Sequence, residues 1–91
     1  MDEQLHVILK GRVQGVGFRQ ATCSEASRLG ITGWVRNRSD GRVEALFCGT
    51  HETLDLIRSW CQQGPAFAQV DTIDARFESG TSDYTHFTIR Y

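Results

Sequence analysis

Residues 31–48 read ITGWVRNRSDGRVEALFC. Two runs rich in aliphatic, aromatic and β-branched residues, 31–38 and 42–48, flank Ser39, Asp40 and Gly41. A short polar stretch ending in glycine between two such runs marks a β-hairpin, with the glycine in the left-handed position. In the second run Val43, Ala45 and Phe47 fall on one face, which is assigned to the core.

On both flanks of this hairpin the apolar spacing changes from two to nearly four. Upstream, Phe18, Ala21, Thr22, Ala26 and Leu29 follow a helical repeat that Gly30 stops. Downstream, Thr50 is placed to cap a second helix, with Glu52 near its positive end. Leu54, Ile57 and Cys61 supply the buried stripe of that helix, Trp60 lies beside it, and Gly64 and Pro65 end it.

The outer segments complete the pattern. LHVILK (5–10) is nearly continuous in apolar character, which fits a central strand. VDTIDARFE (70–78) alternates, with Ile73, Ala75 and Phe77 on one face, and in YTHFTIRY (84–91) Phe87 and Ile89 share a face. The order β-α-β-β-α-β plus one further strand predicts an α+β fold, the ferredoxin-like split βαβ sandwich. Its antiparallel or mixed sheet carries two helices on one face and an additional C-terminal strand. Residues 1–91 are expected to form one domain.

Composition narrows the function. With 40% hydrophobic and 23% charged residues the chain is an ordinary globular one. A formal net charge of −1 argues against a nucleic-acid binder that neutralises many phosphates. The opening MDEQ lacks a secretion signal, and no apolar run approaches the roughly 18 residues of a membrane helix. Cys23, Cys48 and Cys61 are odd in number and without CxxC spacing, so reduced thiols and a cytoplasmic location are expected. His6, His51 and His86 form no metal spacing and are expected as solvated side chains; no metal or cofactor is anticipated. Asp71, Asp74 and Asp83 make no catalytic pair, and Arg12, Arg36, Arg38 and Arg42 read as a solvated sheet edge.

Between the first strand and the first helix runs GRVQGVGFR (11–19), a glycine loop without Ser, Cys, His, Asp or Glu. A dinucleotide fingerprint starting at Gly15 would need glycine where Gln20 stands, and a Walker loop would need Lys and a hydroxyl where it closes on Phe18 and Arg19. The physical setting of such loops remains. Successive N–H groups at Gln14, Gly15, Val16, Gly17, Phe18 and Arg19, together with a helix start, form a cradle suited to phosphate. The glycines alone are also compatible with a plain tight turn. Arg19 shifts the balance, because a cation in the first helical turn is disfavoured by about 0.3–1 kcal/mol. Its presence is explained if the guanidinium clamps an anion with two parallel hydrogen bonds.

Leu9-x-Gly11-x-Val13-Gln14-Gly15-Val16-x-Phe18-Arg19 resembles the first signature of the acylphosphatase family. Gly33-Trp34-Val35-Arg36-Asn37, followed by Gly41, Val43 and Gly49, resembles the second, and Phe87-x-Ile89-Arg90-Tyr91 looks like the family's C-terminus. The resemblance implies a free-standing hydrolase. It would convert small-molecule acyl phosphates to carboxylate and inorganic phosphate, with neither metal nor cofactor; the small size makes a monomer the expectation, and charge and hydropathy that of no nucleic-acid or membrane partner. It assigns Arg19 the phosphate-binding role and Asn37 that of holding the attacking water. Arg90 and Tyr91 are candidates to brace the phosphate loop through the last strand. Three other readings stay open: an RNA-binding module, which would need exposed aromatics on the first and third strands, a sensor domain whose phosphate loop no longer turns over, and, within the family resembled, a part of a larger carbamoyl-transfer protein.

Overall fold

The computed structural model of the chain describes residues 2–80 and 83–91. Its elements run β1 (Glu3–Arg12), α1 (Phe18–Arg28), β2 (Thr32–Asn37), β3 (Val43–Gly49), α2 (His51–Gln63), β4 (Gln69–Ser79) and β5 (Phe87–Arg90). The strands form one sheet in the order β4-β1-β3-β2-β5. β1 lies antiparallel to β3 and β4, β2 is antiparallel to β3, and β5 runs parallel to β2 at the edge. The predicted architecture is the observed one, and β1 is indeed interior. What the sequence left open was the place of the last strand. Its register sets Val35 beside Ile89 and Arg36 beside Arg90, which brings the C-terminus to the end of β2.

Both helices cover one face of the sheet. From that face Leu5, Val7 and Leu9 of β1, Val35 of β2, and Val43, Ala45 and Phe47 of β3 are fully buried. α1 contributes Phe18, Thr22 and Ala26, and α2 contributes Leu54, Ile57 and Cys61. The helices meet where the ring of Phe18 packs edge-on against Trp60, with centroids 5.7 Å apart. Thr50 caps α2 as expected, accepting from the Thr53 N–H at 3.3 Å. A cap of this kind contributes about 1 kcal/mol. Leu54 and Ile57 contribute about 2 kcal/mol each by burial, so the apolar stripe outweighs the cap in holding α2. Phe47 lies on the helix side, so the aromatic that an RNA-binding sheet would need on β3 is in the core.

The opposite face is polar and more ordered than the sequence implied. Glu44, at 9% exposure, accepts from Arg36 Nε at 2.8 Å and lies 2.6 Å from His6 Nε2. On the helix side His51, the first residue of α2, lies 2.8 Å from Glu3 and stacks on Phe77. His86 lies 2.9 Å from the Thr85 hydroxyl. The histidines thus have local partners: the β1–β3 pairing sets His6 near Glu44, while His51 and His86 remain exposed as expected. Arg38 and Arg42 both pair with Asp40 at 3.0 Å. With Arg36 held by Glu44, the arginines of the hairpin are largely neutralised instead of forming a free basic patch.

One glycine is demanded by the sheet itself. Gly33, at φ 130°, opposes Phe47 on β3, and a Cβ placed there would lie 1.9 Å from the Leu46 carbonyl oxygen. Both the backbone region and the space exclude a side chain. Gly33→Ala should therefore destabilise the protein by about 2–4 kcal/mol, read as a lower urea midpoint. The Glu44 network generates a pH dependence. Burial raises the pKa of this carboxyl, but the hydrogen bonds from His6 and Arg36 and the Arg36 charge more than offset it, and the net shift is downward. Its contribution is present at neutral pH and is lost as pH falls through the lowered value. Between neutral pH and about pH 3 the urea midpoint of the wild type should fall further than that of Glu44→Gln.

Candidate active site

The chain leaves β1 at Arg12 and enters α1 at Phe18, and the turn between them shapes the site. Gly17 is the N-cap of α1 at φ 75°, ψ 20°, and Gly15 stands at φ 73°. A glycine cap has no side chain to offer the helix, and the first turn of α1 holds no acidic residue. The leading N–H groups of α1 are thus left without a side-chain acceptor, and they carry the positive end of the helix dipole. A Cβ added at Gly15 or Gly17 would meet no protein atom within 4 Å. Packing is not what keeps these positions bare; they border open space.

That space is a cavity of about 220 Å³ lined by Val13, Gly15, Gly17, Phe18, Arg19, Gln20, Asn37, Ile89 and Tyr91. Taking about 30 Å³ per water, its volume equals that of about seven waters. That is room for a phosphate group. Arg19 and Asn37, eighteen positions apart in sequence, line this one cavity. Asn37 reaches it because it is the last residue of β2 and shares the helix-side face with Val35.

Arg19 sits in the first turn of α1, half-buried, and makes no ion pair with a described residue. Its guanidinium carbon lies 5.0 Å from the centroid of the Tyr91 ring. A contact of this type contributes about 0.5–1 kcal/mol at an exposed site. It therefore offsets the unfavourable position of the cation at a helix start, without supplying a counter-charge. The cavity thus has a cation and a helix start at its wall, and among the described residues no ion pair neutralises that cation. No side-chain carboxylate, imidazole, thiol or aliphatic hydroxyl is among the residues that line it. Elsewhere in the core, burial pushes the Cys61 thiol up to about 12, which keeps it un-ionised and unreactive.

Of the residues expected at the phosphate, Gly15, Gly17, Phe18 and Arg19 line the cavity with Asn37, whereas Gln14 and Val16 do not. Phe18 is 2% exposed and serves the core with its ring. Val16 packs against that core, and the side chain of Gln14 is turned towards the β2–β3 hairpin. Any share Gln14 and Val16 have in the cradle is through their backbone. Val13, Gln20 and Ile89 join the site without having been anticipated. Strand parity does put Ile89 and Tyr91 on the face of Phe87, but only the parallel pairing with β2 brings that face to Asn37. The two candidate braces separate: Tyr91 touches Arg19, while Arg90 lies on the other face, 4.6 Å from the Trp34 ring.

The acylphosphatase family model matches residues 5–89. An acylphosphatase of Methylococcus capsulatus is 44% identical over 87 residues, covering 96% of this chain and 95% of its own. The crystal structure of the acylphosphatase from Bacillus subtilis superposes with a TM-score of 0.94 at 37% identity, covering 98% of this chain and 99% of that one. That of Coxiella burnetii gives 0.92 at 36% identity, covering 98% and 93%. With the match running from β1 into β5, the chain belongs to the acylphosphatase family, whose activity is the hydrolysis of acyl phosphates.

Proposed function

We propose that the chain performs this hydrolysis by direct attack of water on phosphorus, with Arg19 and the amides of the 14–19 loop holding the phosphoryl group and Asn37 holding the water. The observation that carries the reading is the meeting of an unpaired guanidinium, a helix start without a side-chain cap, and a carboxamide around one small cavity. Hydrogen bonds to a charged group contribute about 1.5–3 kcal/mol each. A phosphate spanning Arg19 and several amides would therefore gain far more than the modest cost of a cation at the helix start.

The chemistry needs little beyond positioning. The leaving group is a weakly basic carboxylate, so no general acid is required to expel it. The water oxygen forms a bond to phosphorus as the phosphorus–oxygen bond to the acyl group breaks, and the carboxylate departs with that electron pair. Charge on the phosphoryl oxygens is dispersed by fixed donors that do not reorganise during the step. Asn37 carries an acceptor and two donors on one amide and orients the water without acting as a base. The water's proton passes to a phosphate oxygen of the substrate, since no side chain of the cavity lining is a carboxylate or an imidazole.

The reading takes residues 1–91 as one domain that works as a monomer, without metal or cofactor. It places the chain in the cytoplasm, where Cys23, Cys48 and Cys61 stay reduced. No described helix is long and apolar enough to cross a membrane.

Turnover of benzoyl phosphate and competitive inhibition by inorganic phosphate separate the two roles. Arg19→Ala should weaken phosphate inhibition and remove most activity. Asn37→Ala should lower kcat about a hundredfold while leaving the inhibition constant for phosphate nearly unchanged. Full turnover by Asn37→Ala, or unaltered phosphate inhibition of Arg19→Ala, would show the roles to be misassigned.

A further inference from the structure

Gln14 belongs to the glycine loop, yet its side chain does not line the cavity. Its Nε2 donates to the Arg38 carbonyl at 2.8 Å and to the Arg42 carbonyl at 3.0 Å. These are the two carbonyls around which the β2–β3 turn closes: the Arg38 N–H donates to the Arg42 carbonyl at 2.8 Å, and the Gly41 N–H donates to that of Arg38 at 3.2 Å. One primary amide nitrogen with two hydrogens thus spans both carbonyls at once, each of which has a second lone pair to offer. Among the described residues, no other side-chain hydrogen bond joins residues 13–17 to residues 38–42.

The position of this link is what gives it a consequence. Asn37 pairs with Val43 in the last rung of the β2–β3 ladder, and Arg38 follows it directly. On the other side, Gln14 precedes the two glycines that shape the cradle and stands five residues before Arg19. The Gln14 amide therefore fixes the hairpin end that carries Asn37 against the loop that holds the phosphate. Sheet pairing holds Asn37 in its last rung, and residues 38–42, which Gln14 grips, lie just beyond it.

We propose that Gln14 is a positioning residue for the hydrolysis: its carboxamide sets the distance between the phosphate cradle and Asn37, and so the line of attack of the water. The inference rests on the roles proposed above for Arg19 and Asn37. It assigns Gln14 an action through Asn37 in place of a contact between its side chain and the phosphate.

Gln14→Met keeps the length and flexibility of the side chain and removes both donors. Three variants, Gln14→Met, Asn37→Ala and the two combined, are compared with wild type for kcat on benzoyl phosphate and for inhibition by inorganic phosphate, with thermal melts by circular dichroism alongside. Gln14→Met should lower kcat by about tenfold or more, with the phosphate inhibition constant unchanged within about twofold, a split that general loosening of the site would not give. In the Asn37→Ala background the same substitution should have almost no effect on kcat, because the group it positions is gone. Unchanged kcat for Gln14→Met overturns the proposal. So does weakened phosphate inhibition, which would make Gln14 a phosphate ligand or a support of the cradle. A full loss that persists in the Asn37→Ala background also overturns it, as a fold effect would. Wild-type turnover by Asn37→Ala alone removes the premise and the inference together, and that arm is read independently of Gln14.

Discussion

Helix α1 begins without a side-chain acceptor for its leading amides, and its first turn holds an arginine where an acid would be favoured. Taken as a matter of helix stability this is a poor start, weaker than that of α2, where Thr50 caps and Glu52 complements the dipole. The deficit is small beside the burial of Phe18, Thr22 and Ala26, so the fold tolerates it. The result is concentrated positive potential at the lip of a small cavity. An anion of the right size would satisfy the helix end, the loop amides and the guanidinium together, and the rest of the site is arranged around that possibility.

The sheet supplies the other half. Because β5 runs parallel to β2 at the edge, Tyr91 arrives beside Arg19 and Ile89 closes one wall, while β2 delivers Asn37 from its final position. The β2–β3 hairpin, with its arginines tied to Asp40 and Glu44, brings little free charge of its own. The cavity's electropositive character comes from the loop and from Arg19. On the proposed roles the tasks are separated, phosphate on one element and water on another, which makes the relative placement of the loop and the hairpin a matter of function as well as stability.

Much of this was legible in the sequence, for local reasons. Punctuation by Ser39, Asp40 and Gly41, the stripe of Leu54, Ile57 and Cys61, and the alternation of Ile73, Ala75 and Phe77 are short-range signals, and each element appears where its period placed it. Arg19 and Asn37 were legible through motif resemblance, and Arg19 also through its conflict with the helix dipole. What stayed hidden depends on pairing between distant strands. The register of β5 against β2 decides that Tyr91 joins the site and Arg90 does not, and no local periodicity encodes it. The engagement of His6 by Glu44 follows likewise from the β1–β3 pairing. The partners of the Gln14 side chain were hidden for a like reason: its amide donates to two carbonyls of another element, which nothing in its own neighbourhood signals.

The central claim is that a tetrahedral anion is held by the start of α1 and by Arg19. A crystal structure of the protein grown with inorganic phosphate tests it most directly. The account predicts phosphate in the cavity beside Gly15 and Gly17, with backbone nitrogens of residues 14–19 and two guanidinium nitrogens of Arg19 within about 3 Å of its oxygens. An empty cavity with Arg19 turned to bulk solvent, or phosphate bound at another surface alone, would contradict it.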